Sequence, residues 1–446
     1  MSETTPWAGR RLHFVGIAGA GMSGLALVSH ALGAEVTGSD RLESPYLAPL
    51  RAEGIEPAIG HAAANVPDGA EVVYSTAVPA ENPERAAARG RRLPELHRAE
   101  LLAEISGLRR CIAVTGTHGK TTTAAMIVHV LRACGFDPSF LVGGEIAVEA
   151  DAPPANAGWG AGEWIVVEAD ESDRSLLSLS PDIAVLTNAE LDHHATYGSR
   201  LELERTLERF LEGAVHAVVW DRPDLVALRD GPVTTFDVAA PKLDPEGVRF
   251  AWGGHMVCLA VPGAHNALNA AAALAACELA GADPERAAAA IAGYRTVRRR
   301  FSLLGRGPAG VPVYDDYAHH PTEVAATLRA ARTLGPRRLV AAFQPHLYSR
   351  TQALHRPFGK ALALADLPIV LDVYPARERA EDHPGVTGRL VAESTAEAAD
   401  GRRVAWLPGF DEAEAFLRAE LRQGDLCVML GAGSVDALGR RLVTES

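Results

Sequence analysis

The stretch CIAVTGTHGKTTTAAMIVHVLRACG, residues 111–135, decides the fold of the middle of this chain. Its apolar run Cys111–Val114 predicts a short, buried parallel strand. Apolar residues then recur at helical spacing across Met126–Cys134, and Gly135 suits the position just past the end of a helix. The stretch therefore predicts a strand, a glycine-containing turn and a helix that begins near Lys120.

The turn itself, TGTHGKT at residues 115–121, predicts a phosphate-binding site. Free amides of such a turn and of the helix start point at an anion, Lys120 adds a positive charge, and Thr121 offers a hydroxyl to a magnesium ion. The usual P-loop spacing places a glycine where this chain has Val114, so a shorter variant of the loop is required, and a plain structural turn is the alternative. The nucleotide-binding residues predicted here are Gly116, Thr117, His118, Gly119, Lys120, Thr121 and Thr122.

Length and composition limit the classes of protein to consider. At about 150 residues per domain, 446 residues indicate two or three domains, and the net charge of -13 argues against a nucleic-acid-binding protein. The five cysteines are scattered without a CxxC pair, which suggests neither a disulfide framework nor a zinc site. Arg10-Arg11 and the apolar residues after them superficially resemble a signal sequence, but the glycines of this segment have a better explanation. We predict a cytoplasmic protein that has no membrane partner.

That explanation is a second phosphate-binding turn near the start of the chain. A predicted strand, His13–Ile17, is followed by GAGMSG at 19–24, a helix, and a second strand that ends at Ser39-Asp40. This is the βαβ arrangement that binds a diphosphate, and NAD, FAD and a UDP-sugar all satisfy it, while a tight turn in an α/β sheet is the simpler alternative. Another strand ends just before Ser75-Thr76. The substrate-binding residues predicted here are Gly19, Ala20, Gly21, Met22, Ser23, Asp40, Ser75 and Thr76.

Acidic and histidine residues follow two further predicted strands of the middle part. Trp164–Val167 leads into EADESD, and Ile183–Thr187 leads into NAELDHH. An acid at the tip of a buried strand beside a phosphate loop is the usual ligand of nucleotide-bound magnesium, which makes Glu168 the best candidate. His193 is a weaker candidate on spacing alone, because magnesium prefers oxygen ligands. Residues 151–162, rich in Pro, Ala and Gly, are predicted to be a linker.

The last third of the chain again alternates strands and helices, which predicts a mostly parallel sheet covered on both faces. Three polar clusters follow its strands: DDYAHHPTE, QPHLYSRT and DVYPARE. Ligands of open α/β sheets bind at the carboxyl ends of the strands. We therefore predict a functional edge at these clusters.

Taken together, these motifs closely resemble those of the Mur ligases, the ATP-dependent amide-forming enzymes of peptidoglycan assembly. The resemblance covers nearly the whole chain, and the family itself uses the shorter TGTHGKT loop, which accounts for Val114. The motifs that carry it are HFVGIAGAGMSGLA, TGTHGKTTT, VEADESD, TNAELDHH, PGAHNALNA, DDYAHHPTEV, FQPHLYSRT and DVYPARE. The last three favour the member of the family that uses L-alanine.

The resemblance implies an α/β fold of three domains. Residues 1–107 would form a Rossmann-like domain that binds a UDP-sugar, 108–297 a central P-loop ATPase-like domain with a parallel sheet, and 298–446 a Rossmann-like domain that closes on ATP and the amino acid. The substrates would be ATP, UDP-N-acetylmuramate and L-alanine, with Mg²⁺ or Mn²⁺ as the metal. The protein would be a monomer or a homodimer.

The resemblance also implies roles for individual residues. Lys120 and Thr121 would hold phosphates and the metal, with Glu168 and His193 as further metal ligands. The residues implied to contact the adenine nucleotide are His265, Asn269, Arg300 and Asp316, and those implied to line the meeting point of acyl phosphate and amino acid are Tyr317, His319, His346 and Arg350. The chain departs from some relatives at Leu347, where they carry an arginine, and in the short segment after His194.

Three alternative functions stay open. A sister ligase would attach a preformed peptide to the same UDP-sugar. A nicotinamide oxidoreductase would use only the first βαβ unit and would leave the TGTHGKT loop and Glu168 without a role. A non-catalytic UDP-sugar-binding relative would not need Lys120, Thr121, Glu168 and His193 together.

Overall fold

The computed structural model describes residues 6–146, 154–192 and 196–443. The chain divides into two compact units, one made of residues 1–237 and 269–291 and the other of residues 238–268 and 292–446. His193 lies outside the described residues, so its predicted role as a metal ligand stays a prediction.

The first unit begins with a five-stranded parallel sheet. Its strands are β1 (Arg11–Val15), β2 (Glu35–Asp40), β3 (Ala58–Ile59), β4 (Glu71–Tyr74) and β5 (Glu95–His97). Its helices are α1 (Ala20–Ala31), α2 (Leu47–Ala52), α3 (Pro83–Gly90) and α4 (Arg98–Ser106). The sequence predicted the third strand over residues 55–59, but only its last two residues pair with β2.

The strand order of this sheet is β3-β2-β1-β4-β5, with all neighbours parallel. The order reverses between β1 and β4, and in doubly wound sheets ligands bind beyond the carboxyl ends of the strands at that point. The glycine turn after β1 and Ser75-Thr76 after β4 both lie there. The predicted Rossmann-like fold of this part is thus confirmed.

The same unit contains a seven-stranded sheet in the order β12-β11-β10-β6-β9-β7-β8. Its strands are β6 (Arg110–Thr115), β7 (Ser139–Ile146), β8 (Ala155–Gly158), β9 (Trp164–Glu168), β10 (Ile183–Leu186), β11 (His216–Trp220) and β12 (Thr234–Phe236). The helices are α5 (Lys120–Ala133), α6 (Arg200–Glu212), α7 (Pro223–Val226), α9 (Pro284–Ala290) and, from Asn269 onward, α8 (Ala264–Leu279). β6, the turn and α5 match the prediction from the opening stretch, and α5 begins at Lys120.

The predicted linker over residues 151–162 is wrong for residues 155–158, which form strand β8. This strand pairs antiparallel with β7, and Gly158 lies opposite Phe140. An added Cβ at Gly158 would lie 2.6 Å from the Phe140 ring, so a glycine permits this close pairing. Small residues that suggested a linker are here the residues that fit against a neighbouring strand and helix.

The second unit contains two sheets. A small antiparallel sheet, which the sequence did not predict, has strands β13 (Lys242–Asp244), β14 (Gly247–Trp252) and β15 (His255–Leu259). The larger sheet has β16 (Ser302–Arg306), β17 (Pro312–Asp316), β18 (Arg338–Phe343), β19 (Leu367–Val370), β20 (Ala405–Trp406) and β21 (Asp425–Leu430). Its helices are α10 (Pro321–Thr333), α11 (Tyr348–Leu362), α12 (Gly388–Ala398), α13 (Phe410–Glu420) and α14 (Val435–Val443).

The larger sheet of the second unit has the order β16-β17-β21-β18-β19-β20. Only β16 is antiparallel to its neighbour, so the predicted, mostly parallel sheet is confirmed. Pro321 is the first residue of α10, where its missing amide hydrogen costs nothing. The carboxyl ends of β17, β18 and β19 lead into the three polar clusters that the sequence singled out.

Candidate active site

The phosphate turn between β6 and α5 is shaped by two glycines with left-handed backbone angles, Gly116 (φ +129°) and Gly119 (φ +81°). An added Cβ at Gly116 would lie 2.2 Å from Thr187 Oγ1, and one at Gly119 would lie 2.4 Å from Asn269 Oδ1. Neither position therefore accepts a side chain. Asn269, one of the predicted nucleotide contacts, lies directly against the turn.

The turn is held in place by the segment that follows β10. The Asn188 side chain accepts a hydrogen bond from the His118 amide and donates one to the His118 carbonyl, both at 2.9 Å. Thr187 also donates to the His118 carbonyl, at 2.7 Å, and Thr117 Oγ1 donates to Glu190 O at 2.8 Å. Thr187 and Asn188 were not predicted to have a role, because their partners lie about 70 residues earlier in the chain.

Lys120 points back into the turn. Its Nζ donates to Gly116 O at 2.8 Å and lies 2.9 Å and 3.1 Å from the two carboxylate oxygens of Glu171. Burial alone would lower the pKa of Lys120, but the nearby charges of Glu171, Asp170 and Glu168 raise it above its ordinary value. The lysine is therefore a fixed positive charge at neutral pH. Glu171 was not predicted, because only Glu168 directly follows the apolar run.

Glu168 is the last residue of β9 and lies beside Thr121. Thr121 Oγ1 donates to Glu168 Oε1 at 3.1 Å, and the Gly143 amide donates to Glu168 Oε2 at 2.7 Å. A carboxylate and a hydroxyl oxygen side by side at the start of α5 are hard oxygen ligands of the kind that Mg²⁺ prefers. The two described members of the predicted metal set thus fit such an ion.

The glycine turn after β1 leads into α1, whose first residues are Ala20, Gly21, Met22 and Ser23, and Gly19 is its N-cap. Asp40, at the end of β2, accepts a hydrogen bond from the Ala18 amide at 2.9 Å and so holds the turn. Ser75 is half-buried and Thr76 exposed directly after β4. All eight predicted substrate residues therefore lie along one edge of the first sheet.

Side chains connect this glycine turn and helix α4 to the part of the same unit that contains the seven-stranded sheet. Asn156 Nδ2, on β8, donates to Ala20 O at 2.6 Å and to Ser23 Oγ at 3.1 Å. Arg98, on α4, pairs with Asp173 at 2.5 Å, and its Nη1 would lie 3.4 Å from a Cβ on Gly21. Hydrogen bonds thus link the glycine turn to β8, and an ion pair links α4 to the loop that follows β9.

A buried carboxylate that the sequence did not reveal supports the end of β2. Glu84 is 0% exposed and accepts hydrogen bonds from Ser39 Oγ at 2.5 Å and from Asn65 Nδ2 at 2.7 Å. His13 Nε2 lies 3.5 Å from the same carboxylate. Burial alone would raise the pKa of Glu84, but these hydrogen bonds and one from the Ala62 amide lower it to about 2.

In the second unit, Arg300 and Asp316 lie in an unusual backbone segment. The residues on either side of Arg300, Arg299 (φ +62°) and Phe301 (φ +50°), both have left-handed angles, which are costly for residues other than glycine. Asp316 stabilises this segment by accepting hydrogen bonds from the amides of Phe301 and Ala318, each at 2.8 Å. Burial raises the pKa of Asp316 to about 7, although the charge of Arg300 acts in the opposite direction.

The residues predicted to line the meeting point of acyl phosphate and amino acid form a cluster of three rings and an arginine in the same unit. The His319 ring lies 5.3 Å from the Tyr317 ring and 6.1 Å from the His346 ring. His346 also stacks on Tyr374 at 5.8 Å, and its Nδ1 lies 3.2 Å from Arg350 Nη1. The structure thus brings together all four predicted residues and adds Tyr374, which the DVYPARE motif contained without an assigned role.

Leu347 joins this cluster through its backbone. Its angles, φ +68° and ψ +134°, are unusual for a leucine, and its amide donates to Tyr374 O at 3.0 Å. Helix α11 begins at the next residue. Leu347 thus contributes a turn of costly backbone conformation directly after His346.

His265 lies near the start of α8, four residues before Asn269. An added Cβ at Gly263 would lie 2.6 Å from the His265 ring, so the ring packs closely on the preceding turn. Burial lowers the pKa of His265 to about 4, and the ring is neutral at pH 7. A neutral, half-buried imidazole suits stacking or hydrogen bonding to a base better than it suits charge pairing.

Comparison with known families finds matches to three Mur ligase models. Residues 11–110 match the model described as "Mur ligase family, catalytic domain", residues 114–277 the "Mur ligase middle domain", and residues 299–433 the "Mur ligase, glutamate ligase domain". Each of these three regions contains all or most of one of the large sheets described above.

Two curated relatives match over nearly their whole length. The UDP-N-acetylmuramate–L-alanine ligase of Rubrobacter xylanophilus is 44% identical, with 98% of this chain and all of the relative covered. The ligase of the same name from Streptomyces avermitilis is 42% identical, with 99% of each chain covered.

Solved structures give the same picture. The UDP-N-acetylmuramate-alanine ligase of Thermotoga maritima superposes with a TM-score of 0.83 at 30% identity and covers 97% of this chain and 98% of its own. A murein peptide ligase from Psychrobacter arcticus superposes with a TM-score of 0.71 at 24% identity, covering 98% of each chain, which shows a shared fold. Among the described residues, no helix is long and apolar enough to cross a membrane.

Proposed function

The chain belongs to the Mur ligase family, and we propose that it joins L-alanine to the lactyl carboxylate of UDP-N-acetylmuramate in an ATP-dependent step of peptidoglycan synthesis. The observation that carries this proposal is the near full-length identity of 41–44% to relatives that share this activity in their names. The sister reaction with a preformed peptide is not favoured, because the peptide ligase of Psychrobacter arcticus is only 24% identical. The nicotinamide oxidoreductase reading fails, because the central sheet and its phosphate turn are those of an ATP-using family.

The reaction proceeds through an acyl phosphate. A carboxylate oxygen of the sugar attacks the γ-phosphorus of ATP, and the bond from that phosphorus to the bridging oxygen breaks, so ADP leaves. The amine of L-alanine then attacks the acyl carbon, the carbon–oxygen bond to phosphate breaks, and the amine loses a proton as phosphate departs. Neither step requires a nucleophile from the protein.

The task of the protein is therefore to bring anions together. Two unit charges of the same sign about 4 Å apart repel by about 4 kcal/mol at an effective dielectric near 20. Lys120 and the amides at the start of α5 provide the opposing positive potential at the phosphate turn. Thr121, Glu168 and His193 would hold Mg²⁺ or Mn²⁺, which supplies further positive charge to the phosphate oxygens when it is bound.

The remaining roles follow the assignment made from the sequence. The sugar diphosphate binds at the glycine turn after β1, where the amides of α1 face the carboxyl ends of the sheet. His265, Asn269, Arg300 and Asp316 contact the adenine nucleotide. The cluster of Tyr317, His319, His346 and Arg350 lines the meeting point of acyl phosphate and amino acid. The domain boundaries at 107 and 297, a cytoplasmic location and a monomer or homodimer stay predictions.

Phosphate release from ATP in the presence of UDP-N-acetylmuramate tests the proposal. We expect release that depends on L-alanine, with weaker or no release for L-serine, glycine and a tripeptide as separate additions. Release that depends on the tripeptide and not on L-alanine would identify the sister reaction instead. Lys120→Ala is expected to abolish turnover and to leave UDP-sugar binding nearly unchanged, and Lys360→Ala, on the exposed face of α11, is the matched control.

A further inference from the structure

We propose that Glu171 is a positioning residue for Lys120. Its carboxylate holds the Lys120 ammonium group in the phosphate turn before the nucleotide binds, and it then competes with the phosphates for that group. The inference rests on the proposed function, since it presupposes that ATP binds at this turn. It adds a residue of the EADESD loop that none of the assignments above includes.

The Lys120 ammonium group already has acceptors within the protein. An ammonium group has three hydrogens to donate. Nζ lies 2.8 Å from Gly116 O, 3.4 Å from Thr117 O, and 2.9–3.1 Å from the Glu171 carboxylate. Each of these acceptors belongs to the protein. A phosphate oxygen that takes a hydrogen bond from Lys120 must therefore weaken one of these contacts.

The backbone around Glu171 is fixed by hydrogen bonds. Glu171 is 1% exposed, and its carbonyl accepts hydrogen bonds from Tyr197 Oη at 2.6 Å and from the Arg174 amide at 3.1 Å. Tyr197 is itself 1% exposed. The carboxylate is thus presented to Lys120 by a fixed loop and not by a mobile surface side chain.

The charge of Glu171 determines whether the residue strengthens or weakens nucleotide binding. A buried carboxylate beside the lysine repels the anionic phosphates that approach the same group, and it also restricts the lysine to one orientation. Removing the charge while keeping the shape should therefore tighten the binding of a nucleotide and slow the chemical step. A residue that served only to support the fold would weaken both when changed.

The test is Glu171→Gln in the full-length protein. A non-hydrolysable ATP analogue is titrated calorimetrically in EDTA, so that no metal contributes, and kcat and KM for ATP are measured separately with magnesium. We expect the Gln variant to bind the analogue about tenfold more tightly, the size of one charge-assisted hydrogen bond. We expect its kcat and its KM for ATP to fall together.

Two further variants complete the experiment. Asp173→Asn removes a carboxylate of the same loop that pairs with Arg98 and not with Lys120, and it is expected to leave the affinity for the analogue unchanged. Glu171→Asp keeps the charge but shortens the side chain, so its affinity should lie between those of the wild type and the Gln variant. It replaces the Gln variant if that protein does not fold.

The outcomes distinguish the role of Glu171 from the proposed nucleotide site. Equal or weaker binding by a folded Glu171→Gln protein overturns the role of Glu171. Failure of the wild-type protein to bind the analogue, with or without magnesium, overturns the proposed nucleotide site itself.

Discussion

Gly143 shows how one residue without a side chain fixes the proposed metal ligand. Its amide donates to Glu168 Oε2, and an added Cβ would lie 2.8 Å and 3.0 Å from the two carboxylate oxygens. The shorter distance is below what a real Cβ allows and the longer one is tight, so any side chain at 143 must displace the carboxylate. Gly143 lies 25 residues before Glu168, and strand pairing alone brings them together.

Gly143→Ala should therefore reduce activity without unfolding the protein. We expect kcat/KM for ATP to fall by at least about tenfold, because Glu168 leaves its position beside Thr121. The measurement is steady-state phosphate release with circular dichroism as a check of the fold. Gly90→Ala is the control, since nothing lies within 4 Å of a Cβ at that position. Full activity of Gly143→Ala would contradict the role of Glu168.

Glu84 makes a pH-dependent contribution to stability. Its pKa is lowered to about 2 in the folded chain from an ordinary value of 4.5, so the stabilisation is complete above about pH 4.5 and is lost as the pH falls toward 2. The shift corresponds to at most about 3 kcal/mol. We expect Glu84→Gln to lower the urea midpoint of the first unit at pH 7 and to have a much smaller effect near pH 3. Glu81→Gln, at an exposed neighbour, should have no effect at either pH, and an equal loss at both pH values for Glu84→Gln would contradict the argument.

At this scale, a residue could be predicted from the sequence when a local pattern places it, and not when its role depends on a partner far along the chain. Lys120, Thr121 and Glu168 were predicted because a strand, a turn and a helix place them locally, within a recognisable pattern. Glu171 and Gly143 were missed because their roles depend on the direction of one side chain and on the register of β7. Nothing in a single sequence reports either.

At the scale of elements, the β7–β8 hairpin joins the two predicted ligand turns of the first unit. Its strand β7 carries Gly143, which binds Glu168, and its strand β8 carries Asn156, which binds Ala20 and Ser23 at the start of α1. Gly24 of α1 also packs on the hairpin, with Leu141 3.2 Å from an added Cβ. The paired strands of the hairpin thus fix Glu168 and the start of α1 relative to each other.

Asn156→Ala tests this role of the hairpin. Loss of two neutral hydrogen bonds to the glycine turn should raise KM for UDP-N-acetylmuramate by about fivefold or more, while KM for ATP changes little. Initial-rate measurements with each substrate varied in turn provide the comparison. Gln352→Ala, which truncates an exposed amide of α11, is the control. An unchanged KM for the UDP-sugar would show that the hairpin does not position the turn.

The same hairpin marks the limit of prediction for elements. Strands β4, β6 and β9 have continuous apolar runs and β1 has one that only His13 interrupts, and the sequence placed all four within one or two residues. Strand β8 reads Ala-Asn-Ala-Gly, and small residues in a Pro-rich segment indicate a linker when its neighbours are unknown. Contact with Phe140 and with α1 makes those small residues favourable in a strand.

At the scale of the whole molecule, the chain order and the compact units do not coincide. Residues 238–268 group with the last third of the chain, and residues 269–291 return to the first unit. Helix α8 runs unbroken from Ala264 to Leu279 across this boundary. No glycine, proline or cap therefore marks it, and sequence punctuation could not have indicated a division inside a helix.

The last prediction concerns the two chain segments that carry proposed nucleotide contacts. Lys120 and Asn269 belong to the first unit, and Arg300 and Asp316 belong to the second. A ligand at one hundred times its Kd stabilises the segments that it contacts by about 2.7 kcal/mol, which slows exchange through their opening by about one hundredfold. With a non-hydrolysable ATP analogue and magnesium, we expect hydrogen exchange to slow in residues 112–123 and in residues 299–317.

Strand β14 contains no proposed contact and should exchange at the same rate with and without the analogue. The Lys120→Ala protein at the same analogue concentration should lose the slowing in both segments, since both depend on one bound ligand. Slowing that is confined to residues 112–123 in the wild type would contradict the proposed roles of Arg300 and Asp316 while leaving the phosphate turn intact. Slowing in both segments that persists in Lys120→Ala would mean that the nucleotide binds without the lysine around which the turn is built.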